Sequence, residues 1–379
     1  ADVTVTGGSG DDDISFAGID AGDDINVNAG AGDDTVTVDE VVETSSATVS
    51  GDVIVGGDGT DILAVTTAVA NAQTATTTVS GFEELTITNA SVTGGVDVAN
   101  FQAGLNVVNL AAGGVAELTM EAGANTVNLI APLTGTLALT DTGTATSDSV
   151  TIVNEDEAAD AFAAQTITSA GFETVNIVTT GLATAGGTNT ATAQSIGVIT
   201  VTADTGGVAA VNVSGTNIAN MDGIVTANTL NFSGLTAQAA GTATADMTGF
   251  AFEYVGATGS GTITGSAGDD VLLGDTGEST NIDGGAGDDT ITGGSAAETI
   301  SGGAGDDTLS ITVSNADDDN ASFAATGLEL LQIRGTGNGV GVVDLDLGDV
   351  AGLETVEFRR MAEDVTVTNL QDLDTALKI

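Results

Sequence analysis

A nine-residue segment recurs along this chain and limits what it can fold into. Residues 284–292 read GGAGDDTIT, 302–310 read GGAGDDTLS, 7–15 read GGSGDDDIS and 56–64 read GGDGTDILA. Weaker copies stand at 29–37 (AGAGDDTVT) and 265–273 (GSAGDDVLL). The shared pattern is G-G-x-G-x-D-x-U-x, where U is a large aliphatic residue, and a fixed short period of this kind marks a stacked repeat architecture. The glycines let the backbone turn tightly, with carbonyl oxygens facing one side. The Asp at position six adds a carboxylate. The x-U-x that follows is a minimal strand with one side chain pointing inward. Nine residues make half a coil, and two such halves make a full coil with a turn on each edge. The expected fold is all-β, a parallel β-roll or β-solenoid.

Charge and composition narrow the chemistry. The 379 residues carry 54 acidic side chains against 4 basic ones, with a formal charge of −50 and neither His nor Cys. The bases are Arg334, Arg359, Arg360 and Lys378, so the first 333 residues contain none. Without His or Cys there is no Ser-His-Asp triad, no Cys-His nucleophile and no ordinary zinc, haem or iron–sulfur ligation. A nucleic-acid partner would be repelled. No apolar run approaches the roughly 18 residues needed to cross a bilayer. Such a surface either solubilises the chain or binds cations. Carbonyls and carboxylates in one turn are hard oxygen ligands, which suit Ca²⁺ at a coordination number of about 6–8, so the placement of the acids favours cation binding. The chain opens on Ala1 rather than Met, as expected of a fragment or a processed product.

Over about 1–63 and 263–310 the chain resembles the RTX (repeats-in-toxin) calcium-binding family. The resemblance implies a β-roll, Ca²⁺ as the bound ion and export by type I secretion. In the family pattern an ion is held by positions two, four and six of one repeat and one, three and six of the repeat a full coil later. Carried over, one site uses Ser266, Gly268 and Asp270 with Gly284, Ala286 and Asp289. The next uses Gly285, Gly287 and Asp289 with Gly302, Ala304 and Asp307. In the N-terminal block the implied ligands are Gly8, Gly10, Asp12, Asp24, Gly30, Gly32, Asp34, Asp52, Gly57, Gly59 and Asp61. Asp34 and Asp52 are 18 residues apart, as are Glu43 and Asp61, so the one-coil register is expected to continue through 35–55. Between the good C-terminal repeats, Gly274–Ile282 has Ser279 at position six and Gly293–Ser301 has Glu298. The block 263–310 is therefore expected to bind calcium on one edge only.

The chain divides by composition into 1–63 (RTX-like roll), 64–262 (Thr/Ala/Val/Gly-rich β-solenoid), 263–310 (RTX roll) and 311–379 (C-terminal β segment). In the long middle, alternating runs such as Leu85–Ile87, Val107–Leu110, Leu118–Met120, Val150–Ile152 and Leu230–Phe232 predict strands, the early ones starting about 9–13 residues apart. Glu155–Ala164 is the best candidate for a short helix. A second motif, G-[FL]-E-x-[LV]-x-[IF], begins at Gly81, Gly171, Gly327 and Gly352. It reads as a coil corner whose Phe or Leu caps the core. Its Glu83, Glu173, Glu329 and Glu354 fit either a cap on backbone amides or a cation ligand.

RTX blocks interleaved with such β segments, with almost no bases, look like the lattice-forming part of Caulobacter-type surface-layer proteins. That resemblance implies a non-enzymatic, calcium-dependent protein of the bacterial cell surface that assembles with itself into a lattice or filament. Cell-surface polysaccharide would be met only through a region outside this chain. The alternatives are a calcium-rigidified adhesin or carbohydrate-binding stalk and, less favoured, a secreted RTX hydrolase. RTX proteases need H-E-x-x-H, and the G-x-S-x-G of RTX lipases does not occur here. Arg334, Arg359 and Arg360 fit either intersubunit ion pairs or ordinary surface positions.

Overall fold

The structure, a computed structural model, describes residues 2–18, 23–42, 51–76, 78–89, 94–113, 117–155, 160–179, 193–216, 219–236, 245–247, 251–254, 261–274, 280–293, 299–313, 321–322, 324–335, 342–360, 364–371 and 376–378. It is nearly all-β, a parallel β-solenoid. Contacts divide the chain into two units, principally Ala1–Asn176 and Val208–Ile379.

In the first unit the aliphatic residue of each short strand stacks on its equivalent one coil later. Ile14, Val36, Leu63, Leu85, Val108, Val127 and Ile152 form one column of paired rungs. All but Ile14 are fully buried. Burying one such side chain contributes about 1.5–3 kcal/mol, so the column holds the coils in register. The opposite wall is Val3–Thr6, Ile25–Ala31, Val53–Asp58 and Val79–Ser80, then Gly95–Asp97, Glu117–Met120, Leu137–Asp141 and Ile167–Gly171. The 9–13-residue spacing in the middle is thus the step from one wall of a coil to the other.

The second unit repeats the plan. Val211, Leu230, Ile263, Ile282, Ile300 and Ala325 form one column. Leu272, Ile291, Leu309, Leu331 and Val356 form the facing one. Every run read above as a strand forms one, and the Thr or Asn alternates with the inward residues, Asn109 being covered through hydrogen bonds to Glu84 and Thr86.

Two local expectations change. Residues 156–159 of the expected helix lie outside the described residues, and 160–164 form a bend and turn instead. Asp160 Oδ1 accepts from the Ala163 amide at 3.0 Å, and Ala163 and Ala164 take φ of 48° and 53°, which ends any helix. A helix forms at Thr67–Ala72, capped by the Thr66 hydroxyl. No helix among the described residues is long and apolar enough to cross a membrane.

Candidate metal centres

The glycine turns stack as closely as their backbones allow. Gly285 and Gly303 take φ of 104° and 111°, a region that side chains rarely adopt. A Cβ on Gly303 would overlap the Gly285 carbonyl oxygen, and one on Gly285 would overlap that of Ser266. The turns are also hydrogen-bonded to one another: Ala286 N–H donates to Ser266 O at 3.2 Å, and Gly287 N–H to Ala304 O at 2.8 Å. Ser266 and Gly268 therefore lie one coil from Gly284 and Ala286, and Gly285 and Gly287 one coil from Gly302 and Ala304.

Position-six carboxylates form a ladder along this edge. Asp270 N–H donates to Asp289 Oδ1 at 2.8 Å, 19 residues on, and Asp289 N–H to Asp307 Oδ1 at 2.8 Å, 18 residues on. The N-terminal block has the same ladder: Asp12 N–H to Asp34 Oδ1 and Asp34 N–H to Asp61 Oδ1, both 2.8 Å. Here the structure corrects the expected register. Asp34 stacks on Asp61, 27 residues on, and not on Asp52. Gly8, Gly10 and Asp12 thus face the turn of Gly30, Gly32 and Asp34, which faces that of Gly57, Gly59 and Asp61. Asp24 and Asp52 belong to the other wall, where Ile25 N–H donates to Asp52 Oδ1 at 2.7 Å. Glu43, Ser279 and Glu298 lie outside the described residues.

These carboxylates are buried without a cationic partner. Asp61 and Asp307 are 0 % exposed, and Asp34, Asp270 and Asp289 are 1 % exposed. The second oxygens of Asp34, Asp61, Asp289 and Asp307 have no hydrogen-bond partner. An uncompensated buried charge costs several kcal/mol, so each oxygen calls for a proton or a cation. Burial pushes Asp289 up to about 8, the charges of Asp270 and Asp307 adding to it. Burial also raises Asp61, Asp270 and Asp307. Among the described residues no three acidic side chains alone could hold a metal. A cation here would take carboxylates from successive turns and complete its shell with glycine-turn carbonyls, the oxygen set that suits Ca²⁺.

Sequence reasoning missed two features and left a third, the role of the G-[FL]-E glutamates, open between an amide cap and a cation ligand. Position-five aspartates form an exposed ladder of opposite sense: Asp288 N–H donates to Asp269 Oδ1 and Asp306 N–H to Asp288 Oδ1, both at 2.9 Å. The glutamates of the G-[FL]-E motif cap amides: Asp61 N–H donates to Glu83 Oε2 at 2.7 Å, Asp307 N–H to Glu329 Oε2 at 2.6 Å, and Asp148 N–H to Glu173 Oε2 at 2.9 Å. The preceding Phe82, Phe172, Leu328 and Leu353 are buried, as a coil corner requires. Finally, Asp141 and Asp148 are buried in the middle coils, and Asp141 is raised by burial and by its neighbour Asp148. The pattern D-x-U-x at Asp148–Thr151, preceded by Gly143 at position one but by no glycine at positions two and four, was the available signal.

Stacked glycine turns closed by buried carboxylates define a calcium-binding β-roll. The family model of the RTX calcium-binding nonapeptide repeat matches residues 46–64, 255–278 and 276–309. No curated protein and no solved structure matches the chain. The chain therefore carries RTX repeats, whose ion is calcium. The turns at Gly7 and Ala29 fall outside the matched stretches, yet they share the same ladder and glycine packing. RTX-repeat proteins are typically secreted, and the repeat region is typically non-catalytic.

Proposed function

We propose that this is a structural, non-enzymatic protein of the bacterial cell surface, exported by type I secretion, that assembles with itself into a lattice or filament in calcium. The observation that carries this reading is the placement of its positive charge. Arg334, Arg359 and Lys378 fall on the last strands of one sheet, and Arg360 follows directly in a bend. Arg334 and Arg359 occupy paired rungs, and Lys378 pairs with Glu357 on the neighbouring row. Ser310, Gln332, Arg334, Arg359 and Arg360 line a cleft of about 520 Å³. Arg359 Nη2 meets Glu357 Oε2, two residues before it on the same strand, at 3.0 Å.

Like charges on adjacent rungs repel, so the patch favours an anionic partner. A chain with 54 acidic residues supplies one in every other copy of itself. The exposed position-five aspartates repeat at the spacing of the coils, and so do the arginines. In parallel sheets that spacing is about 4.8 Å on both surfaces, which lets the two rows meet rung by rung.

The test is sedimentation and electron microscopy in millimolar calcium, comparing the natural chain with the Arg334→Glu, Arg359→Glu, Arg360→Glu triple variant. The natural chain is expected to form sheets or fibres. The variant is expected to stay folded and to need on the order of tenfold more protein to assemble. A natural chain that stays monodisperse at high concentration would favour the adhesin-stalk reading.

A further inference from the structure

We infer that the G-[FL]-E turns that follow each repeat block, Gly81–Glu83 and Gly327–Glu329, each close one additional calcium site, with the glycine carbonyl replacing position one and the glutamate replacing position six. This goes beyond nonapeptide-to-nonapeptide sites and does not depend on assembly.

Within the blocks, the structure places two oxygens against the first glycine of each turn. Asp270 Oδ2 and the Gly284 carbonyl lie against Gly265, and Asp289 Oδ2 and the Gly302 carbonyl lie against Gly284. The same pair recurs where a nonapeptide meets the other motif. Asp307 Oδ2 and the Gly327 carbonyl lie against Gly302, and Asp61 Oδ2 and the Gly81 carbonyl lie against Gly56. The ladder bond recurs as well, from Asp307 N–H to Glu329 Oε2 at 2.6 Å and from Asp61 N–H to Glu83 Oε2 at 2.7 Å. The turn is shorter, two residues from glycine to acid where the nonapeptide has five, and its acid is Glu, one methylene longer than Asp.

A second observation points to a ligand. Asp61 and Asp307 are 0 % exposed, and the Oδ2 of each, beside that glycine carbonyl, has no hydrogen-bond partner. A carboxylate of the next turn stands one rung away in both cases, so two negative groups and a carbonyl converge there; Gly57 N–H reaches the Gly81 carbonyl at 3.3 Å, and the Oδ2 of Asp61 and of Asp307 is left without a donor. The arrangement appears once in each unit, after different repeats. The motif alone does not make it. Glu173 uses both oxygens on amides, those of Asp148 and Asp204, each at 2.9 Å. Glu354 is exposed and follows no glycine arc.

Calorimetric titration of the full chain with calcium tests the assignment. Glu83→Gln with Glu329→Gln keeps an oxygen acceptor for each ladder amide and removes only the charge. This double variant should bind two ions fewer per chain than the natural protein, with an unchanged circular dichroism spectrum in calcium. Glu173→Gln should lose none. Should the double variant fail to fold, Glu83→Asp with Glu329→Asp, which keeps the charge but shortens the reach, should show the same loss. Natural stoichiometry in either folded double variant overturns the inference. Absence of any calcium uptake by the natural chain would instead overturn the calcium reading of the whole roll.

Discussion

Asp289 concentrates the conflict that calcium resolves. Its Oδ1 accepts the Asp270 amide, its own amide donates to Asp307, and its Oδ2 is buried without a partner. Without metal, burying the Asp289 carboxylate opposes folding, through its charge or through the proton it must take up, so Asp289→Asn should raise stability in chelator, by about 1–3 kcal/mol. In calcium the sign should reverse, because the side chain serves two successive turn interfaces and one ion at 100 times its Kd is worth about 2.7 kcal/mol. Chemical denaturation in chelator and in calcium measures both signs, and a variant less stable in both would contradict the account. The pH dependence has a defined direction. The folded carboxyl sits at about 8 against an ordinary 3.8, because of burial first and neighbouring carboxylates second. The calcium-free fold therefore holds an extra proton between those values. Its contribution is full below 3.8 and is lost as pH rises through about 8. In chelator, stability of the C-terminal roll should fall as pH rises across that window. Calcium must displace the proton, so its affinity should rise over the same range. Denaturation midpoints and calcium titrations at several pH values check the pair of trends.

Turns and strands differ in how far they were legible. The short strands of the middle could be read because one inward residue alternates with outward Thr or Asn, as at Leu118–Thr119–Met120, and stacking keeps that alternation visible. The C-terminal register was readable because the coils there are uniform, and the 19- and 18-residue steps between Asp270, Asp289 and Asp307 are the coil lengths themselves. The N-terminal coils are unequal, with ladder steps of 22, 27 and 22 residues, so counting 18 from Asp34 landed on Asp52, on the opposite wall. Register is held there by the column Ile14–Val36–Leu63, while the connections absorb the extra residues. The helix at Thr67–Ala72 escaped because six residues are too few to show a helical period. Glu155–Ala164 misled because its alanines favour helix, whereas Ala161 and Phe162 are drawn into the core and Asp160 closes a turn. The turns themselves give a sharp contrast in substitution. Gly303→Ala meets both a left-handed φ of 111° and the Gly285 carbonyl, whereas Gly123→Ala meets only φ of 121° in open space. Thermal unfolding in calcium should show Gly123→Ala costing about 1 kcal/mol and Gly303→Ala at least about 3 kcal/mol. Equal costs would mean that the stacked turns are looser than the structure places them.

For the molecule as a whole, the decisive quantity is the formal charge of −50. Folding brings acidic residues of successive coils to roughly 4.8 Å from one another, and only four bases exist to offset them. Hydrophobic columns favour the coils, and repulsion among the turns opposes them. Calcium removes the opposition by coordination, whereas monovalent salt only screens it, with a Debye length of about 8 Å at physiological ionic strength. Neighbouring rungs lie inside that length, so screening reaches them poorly. In the assembly proposed above, contacts between copies would have solvent at their rims, where screening is effective. Calcium should therefore act at two levels that salt can tell apart. In chelator, the repeat blocks should lose β signal by circular dichroism and expand by scattering. Raising sodium chloride toward molar concentration should restore that signal only in part. With calcium present, the same salt should leave the fold intact and weaken assembly, because it screens the attraction between the arginine face of one copy and the carboxylates of the next. Assembly that strengthens with sodium chloride in calcium would mean that residual like-charge repulsion, and not the basic patch, governs contact between copies. Circular dichroism and scattering unchanged between chelator and millimolar calcium would remove the metal from folding altogether.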